Sequence, residues 1–206
     1  MSAGVTFAER MTGLLSMGEK DPVAGYHAPG ATGVVFDARV TIADLDAFLD
    51  DPGHVGALSA VVDIPRWGGR FTSGPGRFEL FAPTDSARAT RMSYSLPITV
   101  DGVAHTFAGS KTVRVGPPWR LWPDTTTLHT TVHEAPAVTG LALVGEPSGM
   151  PVAAGLMRIT VPALFDMAGT VHGVGPGRLA RAAAVSRFLG FFAGGLTSTY
   201  LLRRRA

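Results

Sequence analysis

Residues 33–161 repeat one texture: short stretches of alternating apolar and polar residues, separated by turn formers and without helical crossovers. Parallel strands need a long return connection, so a chain patterned this way favours an antiparallel meander. The apolar faces of such a meander need a common interior, and closure into a barrel supplies one while removing open edges. In residues 33–42, Val34, Phe36, Ala38, Val40 and Ile42 share one face, and Asp37, Arg39 and Thr41 the other. Further strands are expected over 58–65, 76–81, 90–100, 104–115, 125–134 and 152–161. Asp101-Gly102 is the strongest two-residue hairpin signal in the chain and joins two of them.

Helical patterns frame this core. Phe7, Met11, Leu14 and Leu15 fall at i, i+4, i+7 and i+8, which predicts a short N-terminal helix before a turn-rich stretch. Thr41-Ile42-Ala43-Asp44 resembles a capping box opening a helix with Leu45, Phe48 and Leu49, stopped at Asp51-Pro52-Gly53. Residues 178–202 place Ala182, Val185, Leu189, Phe192 and Leu196 on one stripe, broadened by Phe188 and Phe191. A helix this apolar plugs a barrel end, packs on its wall or dimerises. The expectation is one mostly β domain, 1–206. Its parts are an N-terminal helix and loop (1–32), an antiparallel barrel (33–162) and a C-terminal helical segment (163–206).

Composition narrows the function. There is no cysteine, which excludes a disulfide framework and thiolate zinc. Only 17% of residues are charged against 46% apolar, which suits a lined cavity or a partner surface. Net charge is +2 and the arginines are scattered, unlike the basic faces of nucleic-acid binders. The start MSAGVTFAERMTG lacks the layout of a secretory signal. The greasiest stretch, 188–202, is too short to span a bilayer and is interrupted by Gly194, Gly195, Thr197, Ser198 and Thr199. A soluble, cytoplasmic chain without a transmembrane segment or nucleic-acid partner is expected. Gly173 to Gly177 lacks the Lys-Ser/Thr ending of a phosphate loop, and no Gly-x-Ser-x-Gly elbow occurs. The six histidines form no metal motif; His129 and His133 would lie about 13 Å apart on a strand. Neither metal nor cofactor is expected.

Three places could carry chemistry. Lys111 falls with Phe107, Gly109, Val113 and Val115 on the apolar face of its strand, opposite Thr106, Ala108, Ser110, Thr112 and Arg114. Such a lysine snorkels to a rim, joins a buried ion pair, or acts as a desolvated acid or carbonyl-polarising group. Trp119 and Trp122 flank a stiff segment before Asp124, suited to walling a flat apolar ligand. Asp124 is either a partner for Lys111 or a turn former. Glu79 sits among Phe78, Leu80 and Phe81 and needs a partner, for which Tyr94, on a face with Met92 and Leu96, offers a hydroxyl. Catalytic candidates are therefore Lys111, Glu79 and Asp124. Wall candidates are Trp119, Trp122, Phe78, Phe81, Tyr94, Phe107 and Met92.

The same stretches carry a resemblance. Phe7-x-Glu9-x-Met11-x-Gly13, Gly18-Glu19-x-Asp21, and residues 40–52 from Val40-Thr41-Ile42 to Asp51-Pro52 look like an actinobacterial domain found beside or fused to cholesterol-oxidase-like GMC flavoenzymes. The likeness continues through Gly76-x-Phe78-Glu79-Leu80-Phe81, Met92-x-Tyr94-x-Leu96-Pro97, Gly109-x-Lys111 and residues 121–128. It implies a neighbourhood of sterol, lipid or polyketide chemistry and a flavoenzyme partner, but no catalytic residue. The flavin-binding glycine fingerprint is absent. The layout also resembles the lipocalin-like barrels that cyclise polyketides, which work by holding a substrate in a reactive conformer. The leading expectation is thus a lipocalin-like barrel for a hydrophobic polyketide or steroid-like molecule, acting as a cofactor-independent cyclase or isomerase. The alternatives are a non-catalytic lipid- or sterol-binding accessory domain of a GMC-type system, and an interaction domain whose C-terminal helix makes a homodimer or a membrane-surface contact.

Overall fold

The structure is a computed structural model and describes residues 3–135, 149–160, 163 and 169–197. Eight antiparallel strands close into a barrel, with a C-terminal helix at one end. The wall runs β1 (Gly4–Met17), β2 (Thr32–Ile42), β3 (Val55–Ile64), β5 (Gly76–Pro83), β6 (Ala89–Val100), β7 (Val103–Arg114), β8 (Thr127–Glu134) and β9 (Pro151–Arg158). Short β4 (Gly69–Thr72) pairs with β3, and β10 (His172–Val174) with the start of β1. Each strand expected from alternation is present. Asp101 (φ 49°) and Gly102 (φ 78°) both take the left-handed backbone that a tight β6–β7 hairpin demands.

Closure depends on β1, which pairs with β2 along one edge and with β9 on the other through Thr12↔Arg158 to Met17↔Ala153. Gly13 and Gly155 allow that seam. A Cβ on Gly13 would fall 1.9 Å from the Leu156 carbonyl oxygen, and one on Gly155 2.0 Å from that of Leu14. β1 also corrects the sequence reading: Phe7, Met11, Leu14 and Leu15 do not form a helix. The period-two set Val5, Phe7, Glu9, Met11 faces the interior, and pairing on both edges outweighs a local helical pattern. The short N-terminal helix is α1 (Pro22–His27), capped by the Asp21 carboxylate on the Ala24 N–H.

Helix α2 (Leu45–Asp50) starts at Asp44, whose carboxylate accepts from the Ala47 N–H; Thr41, read as the cap, is still in β2. α3 (Leu121–Thr126) leads into β8. α4 (Arg178–Thr197) lies over the barrel end where β1 begins, while residues expected to extend it to 202 lie outside the described ones. Its contact stripe is turned slightly from the expected one. Ala184 and Phe188 are buried, whereas Leu189 is 45% exposed. Phe188 stacks on Phe7 and also meets Phe48, so an aromatic cluster closes this end.

Candidate functional site

The interior face is almost wholly apolar. Phe36, Phe78, Phe107, Met11, Leu15, Leu96 and Leu128 point inward and are nearly or fully buried, and Phe36 stacks on Phe107 at 5.3 Å. Among them, besides the Thr130 hydroxyl, which donates to the Leu128 carbonyl, lie three polar side chains from opposite walls. Glu9 comes from β1; Tyr94 and Lys111 come from β6 and β7, across the strand order from it. The Lys111 ammonium donates to Glu9 Oε1 at 2.9 Å and to the Tyr94 hydroxyl at 3.3 Å. That hydroxyl donates to Glu9 Oε2 at 2.7 Å. The triangle therefore spans the lumen. The side chains of Lys111 and Glu9 are only 2% and 3% exposed.

Register explains the meeting. On β7, Phe107, Gly109, Lys111 and Val113 alternate inward, and Gly109 stands opposite Tyr94. Lacking a side chain there, Gly109 leaves room for Leu128, which a Cβ would meet at 2.6 Å. Burial, and then the Glu9 charge, push the Tyr94 phenol well above the usual tyrosine range, so it is a neutral donor at ordinary pH. An ammonium has three protons, and Glu9 and Tyr94 take two. Among the described residues no acceptor takes the third.

Lys111 thus has the ion-pair partner its position required, but the partner is Glu9, not Asp124. Asp124 is in the first turn of α3 and is 3.9 Å from Arg120. Glu79 corrects a second expectation. It projects from the outer face, opposite Ser93, where it accepts from the Ser93 hydroxyl at 2.6 Å and pairs with Arg77 at 2.8 Å. Burial raises its pKa, but the Ser93 hydrogen bond and Arg77 outweigh that and hold it below the ordinary carboxylate value. Tyr94 is not its partner, because parity turns Tyr94 inward. Phe78, Tyr94, Phe107 and Met92 do line the interior. Phe81 does not. A bulge between Glu79 and Ala82 gives it φ 53°, and its ring meets Phe191 and Phe192 of α4. Trp119 lies outside the barrel in a 3-10 turn and is 76% exposed, so it is no wall; the Trp122 side chain is outside the described residues.

At the barrel end opposite α4 lies a surface depression of about 320 Å³ lined by Met17, Arg66, Trp67, Gly68, Val100, Asp101 and His105. Trp67 follows the Ile64 end of β3 in a 3-10 turn, closed by Gly68 in left-handed backbone, and its ring lies 5.9 Å from His105. The sequence reading passed over Trp67. His105 is two positions beyond Phe107 on the inner face, so the stacked Phe107 and Phe36 rings separate this depression from the ion pair. A ligand reaching Lys111 from it has to displace side chains of that layer. No cluster of His, Asp and Glu able to hold a metal ion occurs among the described residues.

No protein-family model, curated protein sequence or solved structure matches this chain.

Proposed function

We propose that the barrel binds a hydrophobic small molecule, polyketide- or steroid-like, whose carbonyl oxygen accepts the third ammonium proton of Lys111. The carrying observation is the Glu9–Lys111–Tyr94 triangle stretched across a largely apolar barrel interior. Removing two charges from water is costly, and a well-packed apolar set of similar volume is often as stable or more so. Stability alone therefore does not account for three such groups at this place.

In this reading Phe78, Phe107 and Met92 hold the ligand skeleton, and Lys111 polarises the carbonyl. Glu9 takes a proton from the carbon beside it, and the C–H electron pair passes into an enolate whose oxygen Lys111 stabilises. Return of the proton to a different carbon completes an isomerisation; attack of the enolate carbon on a second carbonyl carbon of the same chain breaks that C=O π bond, and the alkoxide formed takes the proton back from Glu9 to complete a cyclisation. Tyr94 holds Glu9 in place through its short hydrogen bond. No cofactor is required for either.

A carrier reading is favoured by a different observation: both carboxylate oxygens of Glu9 are already engaged, by Lys111 and by Tyr94, which suits a ligand that is held and not altered. Here the barrel would serve as an accessory lipid- or sterol-binding domain to a flavoenzyme of the GMC type. Affinity and turnover on a panel of sterol enones and linear polyketones separate the two. Isomerase or cyclase chemistry requires product formation by the native protein and a loss of rate in Lys111→Met that exceeds its loss of affinity. Binding without product by the native protein leaves only the carrier. No binding by the native protein overturns both.

A further inference from the structure

We infer, resting on the carbonyl-binding reading above, that Lys111 captures its ligand covalently as a protonated imine, which makes the ligand class a hydrophobic aldehyde or ketone. The choice of cation is the first ground. Of the 18 basic residues 16 are arginine, and only Lys20 and Lys111 are not. Arg10, Arg77 and Arg187 pair with carboxylates on the outside of the barrel. Arginine is also the usual cation of a buried pair, since its fork engages both carboxylate oxygens and it stays charged. Inside this barrel a primary amine stands in that place instead. What lysine can do and arginine cannot is lose a proton and form a carbon–nitrogen double bond.

The triangle supplies what imine formation needs. Lys111 Nζ lies 2.9 Å from Glu9 Oε1, so an ammonium proton has an acceptor, and the Tyr94 hydroxyl holds the other carboxylate oxygen at 2.7 Å. With that proton on Glu9, the Lys111 lone pair attacks the ligand's carbonyl carbon and the C=O π pair moves to oxygen. A second nitrogen proton passes to this oxygen, giving a carbinolamine. Glu9 then returns its proton to the hydroxyl, water leaves, and the nitrogen lone pair forms the C=N bond. One water is released and the positive charge stays on nitrogen. The Glu9 carboxylate balances the iminium as it balanced the ammonium, so capture leaves the buried charge count unchanged. Burial of both side chains keeps out the water that would hydrolyse the product. Methionines provide room for the ligand. Met92 stands opposite Lys111 in the β6–β7 register, Met11 is two positions beyond Glu9 on the same face, and both are buried. Such unbranched side chains repack around a guest more readily than branched or aromatic ones.

The test is incubation of the full chain with trans-cinnamaldehyde, an apolar enal, and sodium cyanoborohydride, followed by intact mass measurement and peptide mapping. A single reductively fixed adduct is expected on Lys111, and none on the α-amino group or on the exposed Lys20, which is the control within the same molecule. Lys111→Arg keeps a cation beside Glu9 but should lose the adduct, whereas Lys20→Arg should keep it. Glu9→Gln removes the proton acceptor and should slow labelling of Lys111 about 100-fold while circular dichroism shows a folded barrel. An adduct on the other amines alone, or equal labelling of Lys111→Arg, overturns the proposal. No adduct on the native protein also overturns it, and equilibrium dialysis without the reductant then distinguishes two failures. Cinnamaldehyde retained reversibly leaves the carbonyl-binding reading standing; cinnamaldehyde not retained counts against both.

Discussion

Two carboxylates sit on the barrel wall with a basic side chain and a hydroxyl beside each. Glu79, on the outer face, has Arg77 and the Ser93 hydroxyl; Glu9, on the inner face, has Lys111 and the Tyr94 hydroxyl. The chemistry is nearly the same, but the surroundings are not. Water reaches the arginines of the outer set, so it resembles other surface ion pairs, worth little to stability and screened by salt. The inner set has no such solvent, so each member depends on the others for charge balance. What distinguishes a candidate reactive site from a surface pair here is the face of the strand, which alternates with each residue.

The largest expected contrast comes from removing one cation from each set. Lys111→Met leaves Glu9 unpaired in the lumen and should cost about 3–5 kcal/mol in urea unfolding. Arg77→Met should cost less than about 1 kcal/mol. Equal losses would show that the inner pair is effectively hydrated. Next in size is the recovery expected when both inner charges go. Glu9→Met/Lys111→Met should return to within about 1 kcal/mol of the native protein, because the desolvation penalty leaves with them. A double variant as unstable as Lys111→Met alone would point to shape and not charge as the inner set's contribution.

The two sets should also titrate at opposite ends of the pH scale. Tyr94 has its pKa raised, so the folded state retains the proton longer than the unfolded chain does. Its contribution is complete below the ordinary tyrosine pKa and is lost as pH rises above about 10, at up to about 1.4 kcal/mol per pH unit. Tyr94→Phe should flatten that alkaline slope, read by thermal unfolding across the range. Glu79 has its pKa lowered, so its smaller contribution is present above its ordinary value of 4.5 and fades as pH falls through the folded value. Glu79→Gln should remove that fade at a cost below about 1 kcal/mol at neutral pH.

Much of this architecture was legible in the chain. Period-two alternation located β2, β3 and β5 to β9, Asp101-Gly102 located a hairpin, and the apolar company of Lys111 revealed an inward lysine. Glu9 carries the same signal, since it interrupts Val5, Phe7 and Met11 at period two. It went unread because Phe7, Met11, Leu14 and Leu15 also satisfy a helical period, and nothing local decides between the two. The pairing partner of β1 near its end is β9, well over 100 residues away, and spacing along the chain contains no record of it. For the same reason Lys111 could be assigned a partner but not the right one. Glu79 was placed with the interior because Phe78, Leu80 and Phe81 surround it; a bulge puts both Leu80 and Phe81 in buried positions and hides the parity. Trp67, at the surface depression, has no alternating pattern around it to give it a face.

The central claim is that the inner triangle holds a ligand, and native mass spectrometry of the purified protein beside its Glu9→Met/Lys111→Met form tests it most directly. The account predicts a bound sterol, polyketide or similar carbonyl compound, released and identified by extraction, on the native protein and lost from the folded double variant. The same adduct on both proteins, or an empty native barrel that also ignores a panel of such compounds, would contradict it.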